Sequence, residues 1–141
     1  MRTTYHYSTL PTTFQDALAT YGDCRCQWWI NENKTTESLT FAQVGAIVKN
    51  LSNALIQAGI QKNQRVAIMA FNCPQWLWAD YAILNAGGVT TTIYPTSSIR
   101  EIEYIMNDSA SRFIFVRNKE DLVKVLDGIE RMPHLFSPPH L

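Results

Sequence analysis

The sequence predicts an α/β fold in which successive βα units build a mostly parallel sheet. Three strand-length runs begin at residues 65, 89 and 112, and a helix-like apolar pattern follows each of them. A helix between two strands carries the chain back to the starting edge, so the strands are expected to be parallel, with right-handed crossovers. The run at 65–71 is apolar almost throughout, which favours a strand covered on both faces.

Length and composition fit one ordinary globular domain. The chain has 141 residues, of which 46% are apolar and 17% are charged. Twelve basic residues balance twelve acidic ones, so no net field attracts the chain to nucleic acid or to anionic lipid. The apolar stretch at 76–88 is shorter than the roughly 20 residues of a membrane span, so no transmembrane segment is predicted.

The first ten residues are polar and lack the apolar core of a secretory signal, which favours a reducing compartment and a cytoplasmic location. Three cysteines are present. Cys24 and Cys26 would share one face of a strand, and Cys73 or His6 would be needed to complete a metal site. The usual C-x-x-C spacing is absent, so we interpret them as buried or half-buried free thiols.

The N-terminal third predicts a helix followed by extended segments. Thr12, with Gln15 three residues on, is expected to cap a helix at 11–21. The aromatic run at 24–30 predicts a strand, and a polar turn at 31–36 precedes a short extended pair, Ser38 and Leu39.

The helix at 41–58 has the clearest signals. Thr40 and Gln43 have the spacing of a capping box, and Gly59 provides a left-handed stop. One face carries regularly spaced apolar residues: Val44, Ile47, Val48, Leu51 and Leu55.

Three further helices are expected after the three strands. Asn72 is predicted to cap the first, with Pro74 in its opening turn. Residues 76–86 are apolar nearly all round, so that helix is expected to be sandwiched between other elements. The others are predicted at 99–107 and 119–131, the last opening on a solvated turn of Lys119, Glu120 and Asp121.

The hydroxyl-rich run GGVTTTIYPTSS at 87–98 could be a phosphate cradle or a strand that leads into a helix cap. A cradle needs glycines close to the anion and usually a lysine. Here the glycines precede the strand, and the nearest basic residue, Arg100, already lies in the next helix. We therefore predict a strand, a proline turn and a capping box of Ser98 with Glu101; a weak anion site at Ser97 and Ser98 is the alternative.

Other side chains that carry chemistry have structural interpretations. The four tryptophans are expected to pack in the core rather than line an acyl pocket; they are Trp28, Trp29, Trp76 and Trp78. The histidines lack matched ligand partners and are assigned no catalytic or metal role; they are His6, His134 and His140. Asp80 and Asn85 are odd polar residues on an apolar helix, and Asp80 is expected to find a donor.

Several spaced motifs together resemble the start of the AMP-forming acyl-CoA synthetases, a family of adenylating enzymes. They are L-T-F at 39–41, R-V-A-I at 65–68, N-C-P-Q-W at 72–76, A-G-G-V at 86–89 and N-D-S at 107–109. The run at 87–98 resembles the long-chain fatty acid branch, and TLPTTFQDALATYGD is similar to the opening helix of that branch. The likeness extends from about residue 9 to 135.

The resemblance implies an incomplete N-terminal part of the large adenylating domain at 1–135, followed by a divergent tail at 136–141. For a full-length relative it implies an ATP-dependent fatty acid–CoA ligase. Such an enzyme makes an acyl-adenylate and then a CoA thioester, with ATP, Mg²⁺ and CoA as cofactors or substrates. It also implies a cytoplasmic protein, in some cases peripheral to a membrane.

No functional residue transfers from the family to this chain, so no catalytic, cofactor-binding or metal residue is predicted. The family's phosphate loop ending in Pro-Lys-Gly and its Tyr-Gly-x-Thr-Glu motif have no counterpart here, nor do the ribose-binding aspartate, the hinge and the catalytic lysine. The chain is thus expected to be an inactive fragment whose partner is a missing complementary segment of the same enzyme. A noncatalytic α/β binding or interaction module is the alternative. A dinucleotide site is disfavoured, because it would need G-x-G-x-x-G after a strand and the sequence has no such motif there.

Overall fold

The computed structural model describes residues 8–136. The chain divides into two compact units, Met1–Ile47 and Val48–Leu141. The predictions for His6, for His140 and for most of the tail at 136–141 lie outside the described residues.

The first unit contains a helix and a β-hairpin. Helix α1 (Leu10–Tyr21) precedes strands β1 (Arg25–Ile30) and β2 (Thr36–Thr40), which pair antiparallel. The cap of α1 is Thr9, whose hydroxyl accepts from the Thr12 N–H at 3.3 Å, so the assignment of Thr12 as the cap was wrong. The helix starts earlier because a proline among its first residues has no N–H to satisfy and is tolerated there.

Helix α2 (Phe41–Gln57) begins in the first unit and ends in the second. Its predicted capping box is confirmed: the Thr40 N–H donates to Gln43 Oε1 at 2.8 Å, and the Gln43 N–H donates to Thr40 Oγ1 at 3.2 Å. Gly59 has a φ of +86°, the left-handed conformation that the stop requires.

The second unit confirms the parallel sheet. The chain continues through β3 (Arg65–Met69), α3 (Pro74–Asn85), β4 (Val89–Ile93), α4 (Ile99–Asp108), β5 (Phe113–Val116) and α5 (Lys119–Leu126). The strand order is β4-β3-β5, with both pairings parallel. The central strand is thus the apolar run that the sequence predicted to be covered on both faces.

Two hydrophobic clusters cover the two faces of β3. Val66 and Ile68 pack with residues of α3 and the end of α2, whereas Ala67 and Met69 pack with α4, α5 and residues 129–135. Because successive strand residues point to opposite faces, the sheet has helices on each side. The crossover through α3 and the crossover through α4 run in opposite directions along the sheet and lie on its opposite faces. The two crossovers therefore have the same handedness.

Two helix ends differ from the predictions. The cap position of α3 is Cys73, not Asn72, and no side chain caps it; Pro74 lacks an N–H, so one fewer donor needs a partner there. The last helix stops at Leu126 rather than 131, and a 3₁₀ turn, Ile129–Arg131, follows it. Gly128 lies between α5 and this turn, at a position where a Cβ would lie 2.8 Å from Ile99 Cδ1.

Candidate functional site

The carboxyl ends of the three parallel strands meet at one edge of the sheet. Three loops follow them, at 70–73, 94–98 and 117–118. The first leads to α3 on one face, and the other two lead to α4 and α5 on the opposite face. In open α/β sheets, ligands bind where neighbouring strands send their chains to opposite faces. This edge is therefore the candidate functional site.

The loop after β4 is a turn and a helix cap, as predicted. The Ser98 N–H donates to Glu101 Oε2 at 2.6 Å, and the Glu101 N–H donates to Ser98 Oγ at 3.3 Å. Lys124 Nζ donates to the Pro95 carbonyl at 3.3 Å and to the Ser97 carbonyl. The polar groups of this loop are thus largely engaged with one another and with α5.

A negative charge already occupies the N-terminus of α4. Hydrogen bonds from the Ser98 backbone and hydroxyl lower the pKa of Glu101, so its carboxylate stays ionised at neutral pH. The same backbone donors would have to hold any anion bound at Ser97 and Ser98. This geometry disfavours the alternative anion site at those two serines.

The loop after β5 brings together three side chains that the sequence analysis did not connect. The guanidinium of Arg117 lies 4.9 Å from the ring centroid of Phe71, which follows β3. Its Nε lies 3.5 Å from Asp121 Oδ2. Asp121 is only 7% exposed, so its assignment to a solvated helical turn was wrong. The four-residue spacing of Arg117 and Asp121 was the available signal for their ion pair, whereas the contact with Phe71 depends on the pairing of β3 with β5.

The cysteines are spread between different environments. Cys24 is exposed, and Cys26 and Cys73 are half-buried, so the expectation of burial fails for Cys24. Burial raises the pKa of the Cys26 thiol and disfavours the thiolate that binds metals. Within residues 8–136, no group of three or more His, Cys, Asp or Glu side chains is placed to hold a metal ion.

The tryptophans and Asp80 give mixed outcomes. Trp76 packs against the cluster on the α3 face, as expected. Trp28 is 70% exposed and is not a core residue, because it lies on the outward face of β1. Asp80 has the donor that was expected, since the Thr90 hydroxyl donates to its Oδ1 at 2.6 Å.

A shallow depression of about 420 Å³ runs beside the start of α4, lined by Ser97, Arg100, Glu101, Tyr104 and Ile105. The Glu101 carboxylate in this lining is already bound by the helix cap. Taken together, the edge and the depression offer charged hydrogen-bonding groups and one stacked arginine.

Comparison with known proteins shows that the chain matches one protein family. The profile of the family described as "AMP-binding enzyme" matches residues 14–136. The chain is 29% identical over 132 residues to long-chain-fatty-acid–CoA ligase heimdall of Drosophila melanogaster, covering 90% of this chain and 19% of that protein. It is 30% identical over 127 residues to long-chain-fatty-acid–CoA ligase ACSBG1 of Homo sapiens, covering 90% and 17%. The chain thus spans less than a fifth of the length of these relatives.

Solved structures share the fold. The anthranilate CoA ligase AuaEII, in complex with anthranoyl-AMP, superposes with a TM-score of 0.81 at 20% identity, over 94% of this chain and 25% of that one. The N-terminal domain of FACL13 from Mycobacterium tuberculosis gives 0.78 at 18% identity, over 92% and 32%. Among the described residues, no helix has both the length and the apolar character needed to cross a membrane.

Proposed function

Because the chain belongs to the family of AMP-binding enzymes, we propose that it forms the N-terminal part of an ATP-dependent fatty acid–CoA ligase. The observation that carries this proposal is its similarity, over 90% of its length, to two proteins named long-chain-fatty-acid–CoA ligase. The whole enzyme would activate a fatty acid as an acyl-adenylate and transfer the acyl group to CoA, with Mg²⁺ assisting. The free thiols of the described cysteines support a cytoplasmic location for it.

Within that enzyme, the described residues act as scaffold. The second unit provides a parallel sheet covered on both faces, which fixes the positions of its loops. Two observations support this role: the loop at 94–98 has no glycine or lysine of a phosphate loop, and no group of three or more His, Cys, Asp or Glu side chains that could hold a metal ion is found within residues 8–136. We assign no step of the reaction to these residues.

Residues 1–141 alone are therefore proposed to be inactive in adenylation. Phosphoryl and adenylyl transfer need preorganised donors at the phosphate that gains charge, usually from a glycine-rich loop, a lysine or arginine, and a metal ion. Losing one such donor costs about 100-fold to 1,000-fold in rate. The sequence lacks the family's whole phosphate loop.

The coding sequence downstream of Leu141 tests the ligase assignment. We expect it to encode, in the same or a shifted frame, a glycine-rich loop that ends in Pro-Lys-Gly. A protein expressed through that continuation is expected to release AMP from ATP only when fatty acid and CoA are both present. A downstream sequence without adenylating motifs in any frame, or a longer product that prefers another acid or acceptor, would overturn the assignment.

A further inference from the structure

Arg117 is held on two sides at the carboxyl edge of the sheet. The Cζ of its guanidinium lies over the Phe71 ring, 4.9 Å from the ring centroid, and its Nε lies 3.5 Å from Asp121 Oδ2. The side chain remains 39% exposed. Two neighbouring strands and helix α5 thus fix one arginine that solvent still reaches.

Asp121 explains why this arrangement is stable. The residue is 7% exposed, and its Oδ2 forms no hydrogen bond with any described residue. A buried carboxylate without a counter-charge is costly, so the guanidinium beside it cannot leave without a penalty. Asp121 is therefore a positioning residue for Arg117.

Apart from its contacts with Phe71 and Asp121, no interaction of the Arg117 side chain is found among residues 8–136. A guanidinium presents its N–H donors in a rigid planar fork that matches a carboxylate or a phosphate in a bidentate manner. We propose that Arg117, stacked on Phe71 and held by Asp121, is a binding site for an oxyanion, either a carboxylate or a phosphate group. The inference does not rest on the proposed ligase activity.

The other arginines around this sheet are differently engaged. Arg112 donates to the Gly59 carbonyl at 2.9 Å and is 8% exposed, and Arg131 donates to Glu103 Oε1 at 2.7 Å. Arg65 is exposed at the start of β3, at the opposite edge of the sheet, and no stacked ring or ion pair is found for it among the described residues. Arg65 is therefore the matched control, with the same charge but without the scaffold.

The charge around Arg117 makes the expected binding weak. Asp121 neutralises the guanidinium, while the N-terminus of α5 contributes a partial positive charge. Lys124, on the same helix, is turned toward the carbonyls at 95 and 97. Recognition then depends on the directed donors of the fork more than on net charge. We expect a dissociation constant in the millimolar range, which corresponds to a favourable binding free energy of about 4 kcal/mol.

Equilibrium dialysis of the whole 141-residue chain against radiolabelled inorganic phosphate tests the site, because dialysis works whatever the association state. Saturable binding is expected for the unaltered chain and for Arg65→Ala. Arg117→Ala is expected to reduce bound phosphate to the non-saturable level. If circular dichroism shows that this variant unfolds, Arg117→Lys replaces it in the test, because lysine keeps the charge beside Asp121 but lacks the planar fork of donors. Arg117→Lys is expected to bind phosphate about tenfold more weakly than the unaltered chain.

Competition distinguishes the two chemistries. Displacement of phosphate by acetate would extend the site to carboxylates, and resistance to acetate would restrict it to phosphates; both results support an oxyanion site. The proposal is overturned if the unaltered chain binds no phosphate saturably, if folded Arg117→Ala (or Arg117→Lys in its place) binds phosphate as the unaltered chain does, or if Arg65→Ala loses binding as Arg117→Ala does.

Discussion

The two units of the chain differ in how they cover their strands. In the second unit, β3 has a hydrophobic cluster on each face, and Val66, Ala67 and Met69 are fully buried at 0% exposure. In the first unit, the β1–β2 hairpin leaves Trp28 and Ile30 at 70% and 74% exposure. Apolar side chains on a strand become core only where a further layer lies over them. Folding free energy is therefore expected to be concentrated in the second unit.

Truncation of a central core residue gives the largest expected effect. Ile68→Ala removes a side chain that is 2% exposed and is expected to lower the free energy of unfolding by about 2–5 kcal/mol. Trp28→Ala, a larger truncation in the first unit, is expected to change it by less than about 0.5 kcal/mol. Urea denaturation followed by circular dichroism measures both. Equal losses would show that the hairpin carries as much of the stability as the sheet.

A pair of glycine substitutions sharpens the same contrast. A Cβ on Gly88 would lie 2.9 Å from Ile60 Cδ1 and 3.2 Å from the Gln64 carbonyl oxygen, so backbone would have to move. Gly88→Ala is expected to cost about 1–3 kcal/mol.

In the first unit, a Cβ on Gly45 would meet only the flexible end of Leu18, at 2.8 Å. Alanine is favoured over glycine inside a helix by about 1 kcal/mol. Gly45→Ala is therefore expected to be neutral or stabilising in the same urea titration. A loss as large as that of Gly88→Ala would mean that the first unit is packed as rigidly as the second.

Removal of a helix cap is expected to have a smaller effect. Ser98→Ala removes the hydroxyl that accepts from the Glu101 N–H, at a cost of about 1 kcal/mol. Thr9→Ala removes the equivalent acceptor of α1 and is expected to fray that helix while leaving the unfolding midpoint of the sheet unchanged. Hydrogen exchange of the first turns of α1 and α4 would report both effects.

Acid is expected to weaken the second unit through Glu103. A hydrogen bond from Arg131 lowers the pKa of Glu103 in the folded state. In the unfolded state, Glu103 therefore takes up its proton at a higher pH, near the ordinary glutamate pKa of about 4.3. The stability that the pair contributes is fully present above that value and is lost as the pH falls through the lower folded pKa.

Urea midpoints measured at neutral pH and near pH 3 test this small effect. Glu103→Gln and Arg131→Gln are both expected to be less stable at neutral pH and less sensitive to acid, because each removes one half of the pair. Variants with the acid sensitivity of the unaltered chain would exclude the pair as its source.

Much of this fold could be predicted from local signals. The capping boxes at Thr40 and Ser98 and the alternation of strands and helices each depend on residues close in sequence, and all are found in the structure. The exposure of Trp28 could not be predicted, because it depends on whether a distant element covers that face. The contact of Phe71 with Arg117 was missed for a related reason: the parallel pairing of β3 and β5 brings together loops that are far apart in sequence.

The measurement closest to the central claim is fatty-acid-dependent exchange of labelled pyrophosphate into ATP by the purified 141-residue chain. Neither unit contains a phosphate loop, so exchange is expected to stay at background, while a full-length relative assayed in parallel gives a signal. Exchange that rises with fatty acid and disappears when Mg²⁺ is chelated would contradict the account, because it would place the adenylating site within these residues.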